Sequence, residues 1–329
     1  MDFSITEEQS MLADSVARYI DNEYSFEQRM RIAEGDAAFS QEVWQKCAEL
    51  GWTAMLFPEA DGGFDGGAVE LMLIMQQLGR GLVVEPFLAN VVLAGGVLRR
   101  VGDEAQKQRW LAGVIDGTRQ AALAFAEPQS RYDLANVATT ARPEGDGWLL
   151  NGRKTLVLNG GDADVIIVPA RTAGEQRDRD GIGLFAVPAD ADGLARRCYK
   201  TVDAHGAAEL TLADVRVGSD ALLGDAAGGH ETIAAVIDDA TLAVCAEAVG
   251  IMRALHDKTV EYSKQRIQFG VPIGSFQALQ HRMVDTLMAC EQTRSLLYRA
   301  TMLQGEGSPD ASRAISALKY QVGTAGRYV

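Results

Sequence analysis

The 329-residue sequence is poor in the features that tie a chain to metal, membrane or nucleic acid. It has four cysteines, Cys47, Cys198, Cys245 and Cys290. They lie too far apart for a metal motif and are too few for a disulfide scaffold, which fits a reducing cytoplasm. The four histidines, His205, His230, His256 and His281, show no ligand spacing, so no metal is expected. Basic residues are outnumbered 31 to 45 by acidic ones, and the formal charge of -14 excludes a phosphate-tracking nucleic-acid binder. The acidic balance favours solubility. No run reaches the roughly 18 to 20 apolar residues of a membrane helix. The start, Met1 to Glu8, lacks both the basic head and the apolar centre of a signal peptide. No glycine-rich dinucleotide fingerprint follows a strand, and the glycine pairs at 62–63, 66–67 and 228–229 read as loop devices.

What is present is ordinary globular material, 47% apolar and 23% charged. The length exceeds what one core usually organises, so two or three substructures are expected. Residues 1–118 read as an N-terminal helical domain. Thr6-Glu7-Glu8-Gln9 is a capping-box pattern followed by Leu12, Val16, Tyr19 and Ile20 at helical spacing. A second helix opens at Ser40, with Val43, Trp44, Cys47 and Leu50 as its buried face and Gly51 as its stop. A glycine-rich loop, 57–67, precedes helical patterns at about 68–80, 86–100 and 103–115. Met72 and Met75 are expected to pack in the core.

Residues 119–225 change period and read as a middle β-domain. Asn151-Gly152, between the apolar runs around Trp148 and Leu158, predicts a tight hairpin turn. Strands are expected at 165–168, 183–187 and 209–217. Residues 226–329 return to helix: about 230–264, then 275–303 with Ser275 as N-cap, then a helix from about Pro309 carrying Ala314, Ile315, Leu318 and Val322 on one face. Cys245 and Cys290 fall in apolar helical patterns and are expected in the core. The sequence stops at Val329 within a helical pattern, so this last bundle is expected to be incomplete. The fold class is α+β.

Five segments in order carry a family resemblance: Ile5-Thr6-Glu7-Glu8-Gln9; Phe57-Pro58-Glu59 to Gly63; Ala126-Glu127-Pro128; Leu158-Asn159-Gly160-Gly161; and Arg266-Ile267-Gln268-Phe269-Gly270 leading to Gln277. Together they make the chain resemble the acyl-CoA dehydrogenases. Within that family it looks most like the small subunit of pimeloyl-CoA dehydrogenase, in Ala126 to Asp133 and in Phe269 to Gln277. The resemblance implies an FAD enzyme of β-oxidation that converts an acyl-CoA thioester to the trans-2-enoyl-CoA. A carboxylate takes the α-proton while the β-hydrogen leaves as hydride to the flavin. It also implies an electron-transfer flavoprotein as acceptor, and a dimer or tetramer with itself or a paralogous subunit.

Residue by residue, the resemblance places Phe125, Ala126, Leu156 and Leu158 beside the flavin ring. Arg266, Gln268, Phe269 and Gln277 fall where the family reaches the diphosphate half of an FAD held mainly by a neighbouring subunit, for which a guanidinium fork is suited. Arg131, Tyr132, Asp238 and Thr241 are the candidate substrate-binding residues; Arg131 and Tyr132 either contact CoA or plug a dead pocket. The sequence also departs from the family. Hydroxyls usual in the flavin pocket are replaced by Ala126 and Tyr132, and an aromatic and a hydroxyl by Leu156 and Leu158. One family position for the catalytic base aligns with Ala240, the other lies past Val329, and the usual arginine aligns with Thr241; Asp238 and Asp239 are the nearby acids, read as solvated or helix-terminal carboxylates in preference to a recruited base. The catalytic residue is unknown, and the expectation is a subunit whose base sits in a partner or beyond Val329. The alternatives are a self-sufficient homo-oligomeric dehydrogenase and a catalytically silent binding or scaffold subunit.

Overall fold

A computed structural model describes residues 4–329; Met1–Phe3, part of the start read as lacking a leader, lie outside the described residues. The elements run from helices through a β-rich middle to long helices, as the α+β expectation requires. The chain divides into two compact units. One comprises residues up to Arg29, Gly67–Val83 and Thr241–Val329, and the other Met30–Gly66 and Val84–Ala240.

The first unit is helical. Helix α1 (Glu7–Glu23) begins at the expected capping box: Thr6 Oγ1 accepts from the Gln9 N–H at 3.2 Å, and Gln9 Oε1 accepts from the Thr6 N–H at 3.0 Å. Val16, Tyr19 and Ile20 are its buried stripe. Helix α2 (Phe26–Glu34), which the boundary between the units divides and which is absent from the sequence reading, buries no residue and so has no apolar period to read. Helix α4 (Ala68–Gly81) is tied to α1 by Arg80 to Asp21 at 2.7 Å and Gln9 to Glu70 at 2.8 Å. It also lies directly on the C-terminal part of a 37-residue helix, Gly229–Gln265. A Cβ at Gly79 would stand 2.1 Å from the Glu247 carbonyl oxygen, and one at Gly250 1.9 Å from that of Gln76, so the two backbones touch where both side chains are missing. Met72 and Met75 are buried in this packing, and the Met72 sulfur accepts the Thr301 hydroxyl at 3.4 Å. Two further helices, Gln277–Gly305 and Ala311–Tyr328, pack as a pair, the latter on Ala314, Ile315, Leu318 and Val322. Ser275 is not the cap of the former. Its hydroxyl donates to the Pro272 carbonyl at 2.7 Å within a 3-10 turn, and Phe276 takes the cap position.

In the second unit, α3 (Gln41–Glu49) starts at Ser40, as expected, and buries Val43, Trp44 and Cys47. Leu50 is 38% exposed rather than buried, because the helix ends one residue earlier and Leu50 turns outward as its C-cap. Short helices α5 (Gly96–Val101), α6 (Glu104–Gln106) and α7 (Ala112–Ile115) alternate with π-wound stretches at Leu88–Gly95 and Lys107–Leu111. The long helices then follow as α8 (Gly229–Gln265), α9 (Gln277–Gly305) and α10 (Ala311–Tyr328).

The sheet contains β1 (Ala121–Leu123), β2 (Thr140–Glu144), β3 (Gly147–Leu158), β4 (Val165–Arg171), β5 (Ile182–Pro188), β6 (Leu194–Lys200), β7 (Gly206–Gly218) and β8 (Leu222–Leu223). Its order is β6-β7-β3-β2-β4-β5-β8, with β1 parallel to β4. Strands β4 and β5 are buried along most of their length, and Phe185, Ile166, Val168 and Leu210 form the core with Trp148 edge-on to Phe185.

The hairpin expected at Asn151-Gly152 is not there. Residues Gly147–Leu158 form one continuous strand, and the turn falls at Gly145-Asp146, between Glu144 and its partner Gly147. Asn151 does not turn the chain because its amide is engaged across the sheet: it donates to Asp214 Oδ1 at 3.0 Å and accepts from the Asp214 N–H at 2.9 Å. Gly152 is needed for closeness, since a Cβ there would lie 2.4 Å from Thr139 Oγ1. The β3–β7 ladder slips at two places, between Leu150 and Gly152 and between Lys154 and Val157. The first puts the extra residue on β7, where Asp214 has φ +53°; the second puts it on β3, where Leu156 has φ +48°.

Candidate cofactor and substrate site

The four residues assigned to a flavin ring come together as one wall. The Thr155 N–H donates to the Ala126 carbonyl at 2.9 Å, laying the end of β3 beside the segment that follows β1. Asn159 fixes the same approach by donating to Gln120 Oε1 at 2.9 Å. Phe125, Ala126 and Leu158 are half-buried, while Leu156 is 50% exposed. Leu156 sits in the left-handed region, which costs a side-chain-bearing residue about 1–2 kcal/mol. That conformation is held by Glu209, whose Oε1 accepts from the Thr155 hydroxyl (2.9 Å), the Leu156 N–H (3.3 Å) and the Tyr199 hydroxyl (3.0 Å). Burial raises the Glu209 pKa, but these three donors and Arg197 outweigh it and hold the carboxyl below its ordinary range.

The loop after the wall is folded around a buried carboxylate. Glu127 accepts from the Ala138 N–H (2.8 Å), the Thr139 N–H (3.1 Å), the Gln129 amide (2.6 Å) and the Lys154 ammonium (2.6 Å). Lys154, almost fully buried on β3, also donates to the Pro169 carbonyl at 2.7 Å. Burial pushes the Glu127 pKa up, but the Lys154 charge and the hydrogen bonds bring it down to about 2. Burial lowers Lys154 in turn, with Glu127 opposing. Further along, the buried Arg171 guanidinium donates to the carbonyls of Ala135, Gln176, Asp178 and Asp180 at 2.7–3.0 Å. The loop is rigid by construction, and its tip presents Arg131, at φ +50°, and Tyr132, 99% exposed. At that exposure Tyr132 fills no cavity of its own unit. The Ser130 hydroxyl is engaged with the Glu127 backbone, accepting at 3.0 Å and donating at 2.9 Å.

Asp238 and Thr241 lie three residues apart on α8, both half-buried. Between them Ala240 is buried and offers no acid. Asp239 is occupied, accepting from Arg100 Nη2 at 2.5 Å with Arg99 at 4.0 Å. The third group belongs to the helical unit. After α8, β9 (Ile267–Gln268) and β10 (Val271–Pro272) form a small hairpin whose two turn residues, Phe269 (φ +54°) and Gly270 (φ +80°), are both left-handed. Phe269 is 93% exposed and Ile267 60%; Phe269 meets Phe276 edge-on at 6.2 Å. Gln277 starts α9 and is exposed, as are Arg266 and Gln268. The Arg266 side chain has no hydrogen-bond or ion-pair partner among the described residues.

Lys154 and Glu209 were missed as supports of the site. Both are charged residues inside strand patterns, and that was the available signal. A cavity of about 420 Å³ lined by Asp103, Gln106, Arg109, Trp110, Pro188 and Arg216 contains none of the candidate residues, and its cations are paired, Arg109 with Asp220 and Arg216 with Glu144. Among the described residues no cluster of His, Cys, Asp and Glu could hold a metal ion, and no helix is long and apolar enough to cross a membrane. Cys47, Cys245 and Cys290 are buried and Cys198 is exposed, all as free thiols.

The order of helices, β-domain and long helices fixes no chemistry by itself; sequence comparison supplies the class. Residues 6–118, 122–215 and 227–329 match, in turn, the N-terminal, middle and C-terminal domains of acyl-CoA dehydrogenase, so the chain belongs to the acyl-CoA dehydrogenase family, oxidoreductases acting on CH–CH bonds. The probable acyl-CoA dehydrogenase YngJ of Bacillus subtilis (strain 168) is 31% identical over 322 residues, 96% of this chain and 84% of that protein. The solved FAD complex of PigA is 27% identical, with TM-score 0.87 over 99% of this chain and 88% of that one. The ChsE4–ChsE5 complex of Mycobacterium tuberculosis is 27% identical, with TM-score 0.88 over 100% of this chain and 85% of that one.

Proposed function

We propose that the chain is one subunit of an FAD-dependent acyl-CoA dehydrogenase that oxidises an acyl-CoA thioester to the trans-2-enoyl-CoA, with the general base supplied by a paralogous partner subunit or by residues after Val329. The residues present fit such a group in two pieces. Phe125, Ala126, Leu156 and Leu158 offer an open apolar wall to a planar ring, and the main-chain N–H groups of Phe125 and Ala126 have no acceptor among the described residues. Arg266, Gln268, Phe269 and Gln277 offer a guanidinium, amides and an aromatic face to a diphosphate and its nucleoside. When bound, FAD supplies the hydride acceptor for the β-hydrogen. This chain's part is to hold the ring's face, grip the diphosphate and receive the thioester near Arg131, Tyr132, Asp238 and Thr241. Electrons pass on to an electron-transfer flavoprotein. Within the family, Ala126 to Asp133 and Phe269 to Gln277 favour the pimeloyl-CoA dehydrogenase small-subunit branch, and with it a dicarboxylic acyl chain.

The observation that carries this reading is the hairpin after α8. An unpartnered arginine flanked by Ile267, Phe269, Val271 and Phe276, all more than a third exposed, is the composition of a surface completed by another protomer. At the same time Ala240 and the tethered Asp239 leave one family base position empty. The solved ChsE4–ChsE5 complex, one chain of which is similar to this one, is the precedent that favours a partner subunit.

The test is expression of the chain alone and with a paralogous subunit, followed by flavin absorbance and dye-linked acyl-CoA oxidation. Colour and activity only on co-expression support the proposal. Yellow, active protein from the chain alone replaces it with a self-sufficient dehydrogenase, and neither colour nor activity under either condition replaces it with a silent scaffold.

A further inference from the structure

The β3–β7 ladder carries the inference. Lys154 pairs with Leu210 and Val157 with Ala208, so Thr155 and Leu156 together face the single residue Glu209. In an unbroken strand, side chains alternate, and Lys154, Leu156 and Leu158 would share the inward face while Val157 pointed out. The extra residue reverses that phase. Lys154 and Val157 are both buried, and Leu156, with its left-handed backbone, faces outward on the wall shared with Ala126. A bulge of this kind leaves main-chain groups unpaired in the ladder. Here the N–H of Leu156 is satisfied by the side chain of the residue directly opposite, and the same Glu209 oxygen takes the Thr155 hydroxyl. Tyr199, donating from β6, holds that carboxylate from the other side, and Arg197, paired with Glu209 in the β6–β7 register, lies over the Tyr199 ring at 5.8 Å.

The other bulge in this ladder uses the same device, with Asn151 bonded to the left-handed Asp214. That one faces no candidate site residue. The Glu209 bulge is thus the one whose presence decides which residues face the flavin.

We propose that Glu209 is a positioning residue for the flavin: its carboxylate holds the β3 bulge that turns Leu156 and Leu158 toward the ring, with Thr155 and Tyr199 as the other members of the device. This rests on the reading that Phe125, Ala126, Leu156 and Leu158 form the ring's wall. Glu209 does not itself meet the cofactor and acts only through the backbone of residues 155–156.

The experiment compares E209A, E209Q and L156D in the flavin-loaded assembly. It reads amide hydrogen exchange over residues 153–159, the dissociation constant for FAD after deflavination, and the visible flavin spectrum. In E209A, exchange at 155–157 is expected to accelerate, the FAD dissociation constant to rise roughly tenfold, as loss of hydrogen bonds to a charged group implies, and the flavin bands to shift. E209Q keeps an oxygen acceptor of the same reach and is expected to restore affinity to within about threefold of wild type. Wild-type exchange and affinity in E209A would overturn the proposal. So would accelerated exchange with unchanged flavin binding, and so would E209Q behaving like E209A. L156D separates the two layers. If it weakens flavin binding while E209A does not, the wall stands and the positioning role fails; if L156D also leaves flavin untouched, the wall reading itself fails and the proposal with it. Should E209A not fold, E209Q and T155V, each retaining part of the network, give the same exchange and affinity readouts.

Discussion

The loop after β1 and the hairpin after α8 both carry candidate residues for FAD, yet they are built on opposite principles. The first is closed: Glu127 meets four donors, Lys154 is buried against it, and the Arg171 guanidinium gathers four carbonyls. The second is open, with a free guanidinium, apolar side chains in solvent and a phenylalanine held in a left-handed turn. A region whose buried charges are engaged within the chain is set in shape before any ligand arrives. One that leaves Arg and Phe unpartnered is shaped for something outside the chain.

The sharpest way to break this contrast is to cut the closed region at its centre. E127Q or K154M leaves one buried charge unpaired and is expected to cost about 3–5 kcal/mol, read as a fall in urea midpoint. The double variant E127L/K154M is expected to lose much less than the sum, because no orphan charge remains. If either single variant were neutral, the loop would not depend on the pair. Acid should act on the same centre. The folded-state pKa of Glu127, about 2, lies below its unfolded value, so the stabilisation is complete above about pH 5 and disappears as pH falls toward 2. The size is about 3 kcal/mol from the shift, less whatever the neighbouring Lys154 gives back, and it should be missing from the urea midpoints of E127Q over that range.

Changes at the open hairpin should leave the fold alone. R266A is expected to weaken FAD retention in the assembled oligomer by about tenfold to a hundredfold, from the loss of charge-assisted hydrogen bonds, with the thermal unfolding of the isolated chain unmoved. Unchanged retention would remove the hairpin's role. The smallest effect is the most local: G270A forces a side chain into a left-handed turn at about 1 kcal/mol and should show as faster exchange confined to 266–273.

Much of the fold was legible. The capping box at Thr6, the buried runs of β4 and β5, the face of α10 and the order of helix, sheet and helix all follow from periods and caps that a single segment contains. The failures have separate physical causes. Asn151-Gly152 is a turn sequence, but Asp214 on another strand claims its amide. Ser275 is a capping residue whose hydroxyl turns back to Pro272, and α2 has no buried stripe to mark it. The roles of Lys154 and Glu209 needed the register between strands, because nothing adjacent in sequence says that an acid on β7 faces two residues of β3.

That register has one further consequence. The two slips along β3 and β7 lie on opposite partners, so the ladder leaves its original alignment at Leu150 and regains it at Val157. Each slip absorbs one extra residue in one strand, so the side chains on either side of it keep the same face: Lys154 and Val157 are both in the core although three residues separate them.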